Sequence, residues 1–233
     1  METLALPSSP QAYRTLTQCL LKRPPQEKIS TLRHLCRVDL FFLLTHMMGR
    51  KDLEHPWLFD RCREIGDEPN GFIDLWARDH RKSSIITFGK TIQDILCSHG
   101  EHKLVERECT VGIFSHTRPI AKGFLRQIKR ELENNKRLFE LFPDILYADP
   151  EAEATKWSED DGLVLRRKSN PKESTVEAHG LVDGQPIGKH FTHMIYDDVV
   201  VISSVTSPDM MLKTIDALAM SYSLGTEGGV KRF

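Results

Sequence analysis

The hydrophobic rhythm of the chain changes near residue 70. Before that point Leu32, Leu35, Leu40, Leu43, Leu44 and Met47 recur at helical spacing, which predicts a core-facing helix with Ser30 as N-cap and Gly49 as its stop. Beyond Pro69, short apolar runs alternate with amphipathic stretches, the pattern of an α/β domain built on a largely parallel sheet. The runs at 72–76, 111–115, 162–166, 175–178 and 194–196 are the expected strands. Two helices stand out between them: one over about 83–98, and one that starts after Pro119 and carries Ile120, Phe124, Ile128 and Leu132 on one face. The expected organisation is a helical N-terminal segment, 1–65, packed on a core at 66–233.

Composition narrows the class. With 233 residues, of which 39% are hydrophobic and 28% charged, the chain can bury a substantial core and fill one large domain or two small ones. Its longest apolar runs, 41–44 and 199–202, fall far short of the ~20 residues of a membrane span. The N-terminus shows no basic stretch followed by an apolar one, as a secretory signal would. The five cysteines Cys19, Cys36, Cys62, Cys97 and Cys109 form no CxxC pair, which fits free thiols in a reducing cytoplasm. A net charge of −1 exerts no global pull on nucleic acid, so any DNA contact must be local. The outer face of the second helix offers such a patch in Lys122, Arg126, Lys129, Arg130, Lys136 and Arg137. Interleaved Glu131 and Glu133 leave two readings open, a phosphate-tracking face or an ordinary solvated flank.

The candidate chemistry lies in two places. After the expected strand at 72–76 come Ala77, Arg78, Asp79, His80, Arg81, Lys82, Ser83 and Ser84, and then Ile85 opens a helix. A strand, a turn, a lysine followed by a hydroxyl and a helix start together make a phosphate-binding loop: backbone amides and the helix N-terminus attract phosphates, Lys82 meets the β and γ oxygens, and Ser83 reaches Mg2+. Trp76 and Arg81 stand where the strict pattern has glycine, and a merely basic turn is the competing reading. The second place is Met194, Ile195, Tyr196, Asp197 and Asp198, an apolar strand ending in two acids. In the corresponding nucleotide site the first acid holds Mg2+ and the second polarises the attacking water; the alternative is a pair of turn acids.

Other chemistries are less well supported. The segment from Gly184 to Lys189 imitates a phosphate loop but is a residue short, lacks a following hydroxyl and leads into a strand, so a glycine-rich hairpin is expected. Cys97, His99, His102 and Cys109 are irregularly spaced for zinc. Neither GxSxG nor HExxH occurs. Trp57 and Phe59 are the aromatic candidates for holding an adenine, with core packing the ordinary use of both.

The stretch from Asp74 to Thr91, with Arg78, Lys82 and Ser83, resembles the divergent Walker A segment of tailed-bacteriophage terminase large subunits. The resemblance continues through Ile113 to Arg118 and the following helix, Leu141 to Pro143, Lys156 to Gly162, and Gly184 to Asp198. It implies a P-loop NTPase fold and the ATPase half of a motor that drives double-stranded viral DNA into a procapsid. Lys82 would bind the β and γ phosphates, and Ser83 and Asp197 would hold Mg2+. Asp198 would be the catalytic acid, and Arg78 the extra arginine that senses the γ phosphate. The implied partners are DNA, the portal protein, the small terminase subunit and neighbouring copies in a ring; the implied location is the host cytoplasm, transiently at the portal. Arg118 and Lys189 are candidates for an arginine-like residue acting on a neighbour's site. Relatives continue into a coupling motif and a nuclease, so a chain ending at Phe233 is expected to be an excised domain or a truncated prophage copy, without nuclease residues.

Overall fold

A computed structural model describes residues 6–67, 73–97 and 108–233. The fold is α/β. A six-stranded mixed sheet, mostly parallel, runs in the order β2-β3-β4-β1-β5-β6, where β1 is Val111–Ser115, β2 Trp157–Ser158, β3 Gly162–Leu163, β4 Val176–Gly180, β5 Phe191–Tyr196 and β6 Gly225–Arg232. The strands β4, β1, β5 and β6 are mutually parallel, while β2 and β3 form an antiparallel edge. Every residue of β1 and β4 is buried, as strands covered on both faces require.

One face of the sheet carries the larger core. Ile113, Ile195, Val176 and Ala178 meet Leu125, Ile128 and Leu132 of a long amphipathic helix and the apolar side chains of the N-terminal helices. Those helices are α1 (Ala12–Leu21), α2 (Pro25–Val38), α3 (Leu40–Phe42), which continues as a π turn over Leu43–Met47, and α4 (Pro56–Asp67). A π-helical segment, Ser84–Lys90, then runs into α5 (Thr91–Cys97). The long helix is α6 (Arg118–Asn134), followed by α7 (Lys136–Leu141) and α8 (Pro150–Glu153); α9 (Pro208–Ser221) lies between β5 and β6. The other face of the sheet buries Phe114, Leu181, Phe191, Met194, Tyr196 and Leu224, with Ala217, Leu218 and Phe233 packed beside them. Gly112 is required there, since a Cβ would lie 2.8 Å from the Phe114 ring and 2.9 Å from that of Phe191.

Several expected elements are corrected. The helix expected between Ser30 and Gly49 is broken at Asp39, whose extended backbone ends α2 and whose carboxylate caps α3 by accepting from the Phe42 amide at 3.0 Å. Ser30 lies inside α2, which starts at Pro25, whereas Gly49 does turn the chain, at φ 68. Residues 73–76 form no strand; the Asp74 amide bonds the Phe233 carbonyl, just past the end of β6, at 2.8 Å. Phe72 lies outside the described residues, as do Ser98, His99 and His102. The strand expected over 162–166 shrinks to Gly162–Leu163, because the Val164 and Leu165 amides turn to the Lys156 carbonyl and the Thr175 hydroxyl.

Candidate functional site

The loop from Ala77 to Lys82 leads into a helix that Lys82 and Ser83 open. Its backbone is left-handed at Asp79 (φ 64) and Arg81 (φ 63), positions where glycine would sit without strain. The Ile85 amide bonds the Arg81 carbonyl at 3.1 Å, which fixes the first helical turn and leaves the preceding amides at the positive end of the helix. Arg78 is exposed, and its carbonyl accepts from His80 Nδ1 at 2.8 Å.

Asp197, the residue after β5, is brought directly onto this helix. Lys82 Nζ lies 3.1 Å from Asp197 Oδ1, and the Thr87 hydroxyl donates to Oδ2 at 2.6 Å across 110 positions of sequence. Asp197 is 2% exposed, yet its Oδ1 has no aligned hydrogen-bond partner among the described residues; Lys82 approaches it as a charge. A buried carboxylate oxygen that only a lysine charge approaches suits a hard cation such as Mg2+, which takes oxygen ligands and retains water, and Ser83, at the start of the helix whose Thr87 reaches the same carboxylate, is a second oxygen donor. Ser83 and Asp197 are therefore chemically fit to hold one. Among the described residues no group of three or more His, Cys, Asp or Glu side chains could form a metal site by itself; His99 and His102 of the Cys97–Cys109 cluster lie outside them. Asp198 follows with φ 52 and an exposed side chain, and its carbonyl accepts from the His116 amide at 3.1 Å.

The N-terminal helices supply a further wall. A cleft of about 920 Å³ lies beside the loop, lined by Trp57, Arg61, Asp74, Trp76, His80 and Arg81 among others. Trp57 meets Trp76 edge-on at 5.1 Å and His80 at 5.4 Å, and the Arg61 guanidinium lies 5.8 Å from its ring centre. Phe59 is core at 7% exposure, but Trp57 is 37% exposed and faces this cleft, so core packing does not account for it. Burial raises the Asp74 carboxyl above its ordinary value. Asp52 links the two walls: it holds Arg50 through paired bonds of 2.9 Å and approaches Arg81 at 3.5 Å, while Arg50 also donates to the Ser84 hydroxyl at 3.3 Å. The hydrogen bond from Arg50 keeps the Asp52 carboxyl below its usual range.

Other sequence candidates are occupied within the chain. Lys122 pairs with Asp160, Arg126 with Glu159, and Lys129 with Glu133 and Glu151, so acids cover much of the basic face of α6. Arg118 bonds the Asp160 carbonyl at 2.8 Å, and Lys189 pairs with the buried Glu177, so both candidates for acting on a neighbour are already engaged. The segment at 184–189 is a turn region, with Gly184 bridged to Gly180 and Gly188 at φ 67. No family model and no curated protein matches the chain.

Proposed function

We propose that the chain is a P-loop ATPase module, and that it belongs to the DNA-packaging motors of the terminase large-subunit class. The observation that carries the reading is Lys82 at a helix start, 3.1 Å from an acid at the end of a parallel strand. Two further features support it. Strand β6 pairs with β5, and the Asp74 amide ahead of the loop bonds the Phe233 carbonyl just past the end of β6, so the segment that precedes the loop meets the sheet at β6 rather than at β5. The loop also takes left-handed turns where a phosphate cradle needs them, despite lacking glycine.

On this reading the loop amides and Lys82 bind the β and γ phosphates, while Ser83 and Asp197 hold Mg2+. The cation, when bound, neutralises charge that develops on the phosphoryl oxygens. Asp198 accepts a proton from the attacking water, Arg78 is free in solvent to meet the γ phosphate, and Trp57 offers its face to the base. Translocation of double-stranded DNA at a portal, as one of a ring of copies and with the small subunit as partner, follows from the family resemblance.

Calorimetry with Mg-ATP tests the site. Lys82→Ala should abolish binding, and Asp198→Ala should keep it while phosphate release falls by about 10²–10⁴-fold. Lys82→Ala that binds ATP as the parent does would remove the assignment. The competing reading is a scaffold without turnover, favoured by the bulky, strained Arg81 in the loop; binding without phosphate release, with or without DNA, would select it.

A further inference from the structure

We propose that Ser115 is a positioning residue of this site, its hydroxyl holding a water of the Mg2+ shell beside Asp197; the inference rests on the ATPase reading. The register pairs Val111 through Phe114 with His193 through Tyr196, so the next residues along, Ser115 and Asp197, stand side by side at the ends of adjoining strands. Alternation along each strand puts Ser115 on the face of Ile113 and Asp197 on the face of Ile195, and both isoleucines belong to the larger core. Thr87 and Lys82 reach Asp197 over that same face.

Ser115 is 0% exposed and its hydroxyl has no partner among the described residues, while the neighbouring Asp197 Oδ1, on a side chain 2% exposed, has no aligned hydrogen bond there and is approached by the Lys82 ammonium at 3.1 Å. Buried polar atoms are normally satisfied, and an orphaned hydroxyl beside a carboxylate oxygen that only a lysine charge approaches is costly unless a polar species fills the space between them. A carboxylate only accepts, whereas a hydroxyl can donate once and accept from others, so a water bound to a cation that Asp197 holds can satisfy the Ser115 hydroxyl as a donor. Mg2+ sheds its water reluctantly and usually retains several molecules, which are donors of this kind. The next residue braces the arrangement: the His116 amide holds the Asp198 carbonyl at 3.1 Å, and its Nδ1 is a third buried atom at the same strand tip without a hydrogen-bond partner among the described residues.

The test uses the whole chain with Ser115→Ala and Ser115→Cys, the latter close to serine in volume but a poor hydrogen-bond former. ATP binding is measured by calorimetry with Mg2+ and with EDTA, beside thermal denaturation of the nucleotide-free protein. Both variants should lose about tenfold of the Mg2+-dependent gain in ATP affinity, a typical cost for an outer-shell partner. Their EDTA affinity should stay within about twofold of the parent, and the nucleotide-free Tm should hold or rise, because an unsatisfied hydroxyl has gone. A full Mg2+-dependent gain in both variants overturns the inference. So does an equal loss with and without Mg2+ accompanied by a lower Tm, which would mark Ser115 as structural. If the parent itself shows no Mg-ATP binding, the ATPase reading fails and this inference with it.

Discussion

Arg81 carries a conformational load that its contacts do not repay. A side chain held at φ 63 costs about 1–2 kcal/mol, and the 3.5 Å approach to Asp52 by a half-exposed guanidinium offsets little of it. Arg81→Gly should therefore raise Tm modestly, part of the gain being lost to the freer unfolded chain, and should leave ATP binding intact. A lower Tm on thermal denaturation would show that the Asp52 contact outweighs the strain. Trp57 makes the complementary case, a large side chain placed where a base can stack. Trp57→Ala should weaken ATP binding by about 1–3 kcal/mol, read by calorimetry, with little change in Tm; unchanged affinity would move the base elsewhere. Lys82, Ser83 and Asp197 could be singled out in the sequence from a lysine and hydroxyl at an expected helix start and from acids at the end of an apolar run, although the strand expected ahead of the loop does not form. Trp57 and Phe59 were both candidates and could not be told apart, since two aromatics two positions apart on α4 look alike until packing turns Phe59 inward and leaves Trp57 at the loop.

At the scale of elements, one buried charge cluster joins α5 to the sheet. Asp94 accepts from Lys90 at 2.8 Å and from Arg232 at 2.5 Å, and His193 lies 4.0 Å away. Burial would raise the Asp94 carboxyl, but the Arg232 and Lys90 charges hold it well below the carboxylate range. Asp94→Ala would take the carboxylate away from two buried cations and should cost about 3–5 kcal/mol in urea denaturation; a loss below 1 kcal/mol would mean that water reaches the cluster. His193 sets a pH limit on the same joint. Burial pushes its pKa down to about 4, against the pull of Asp94 and with the help of Arg232 and Lys90, while Cys109 and Thr192 contact its Nδ1. The unfolded chain takes up this proton near pH 6.5, so it binds more protons than the folded one between about 6.5 and 4. Stability should fall as pH drops through that window, and His193→Gln should flatten the fall in urea midpoints measured between pH 7 and pH 4. Sequence periodicity could not reveal this joint. Lys90 and Asp94 look like a surface pair one helical turn apart, and β6, with Gly225, Gly228 and Gly229, lacks the apolar alternation of a strand; β5 and the buried Arg232 hold it in place. The opposite error occurred at 73–76, where alternation suggested a strand but Leu75 is 90% exposed and no ladder forms.

The molecule as a whole has no seam between its helical beginning and its sheet. Tyr13, Leu35, Phe41 and Leu44 belong to one buried cluster with Phe88, Ile113, Ile128 and Ile195. Gly89 admits the Leu44 side chain so closely that a Cβ would lie 2.5 Å from it. Detaching α1 to α4 would expose the apolar face of the helix that carries Lys82, so neither part can hold its structure while the other melts. The N-terminal region reaches the loop at 77–82 and Ser84 through Asp52, Arg50 and Trp57, so a ligand bound at the proposed site would be coupled to the whole core. Thermal unfolding should then be a single transition, with calorimetric and van't Hoff enthalpies in agreement. Mg-ATP at about 100 times its dissociation constant should shift that whole transition upward by about 5–10 °C, from about 2.7 kcal/mol of added stability spread over a chain of this size. The decisive measurement is calorimetric scanning with and without Mg-ATP, beside circular dichroism. Two transitions, of which the ligand moves only the later one, would show that the N-terminal helices melt independently and that the Trp57 wall does not belong to the nucleotide site. One transition that moves intact would tie the wall, the loop and the sheet into one binding unit.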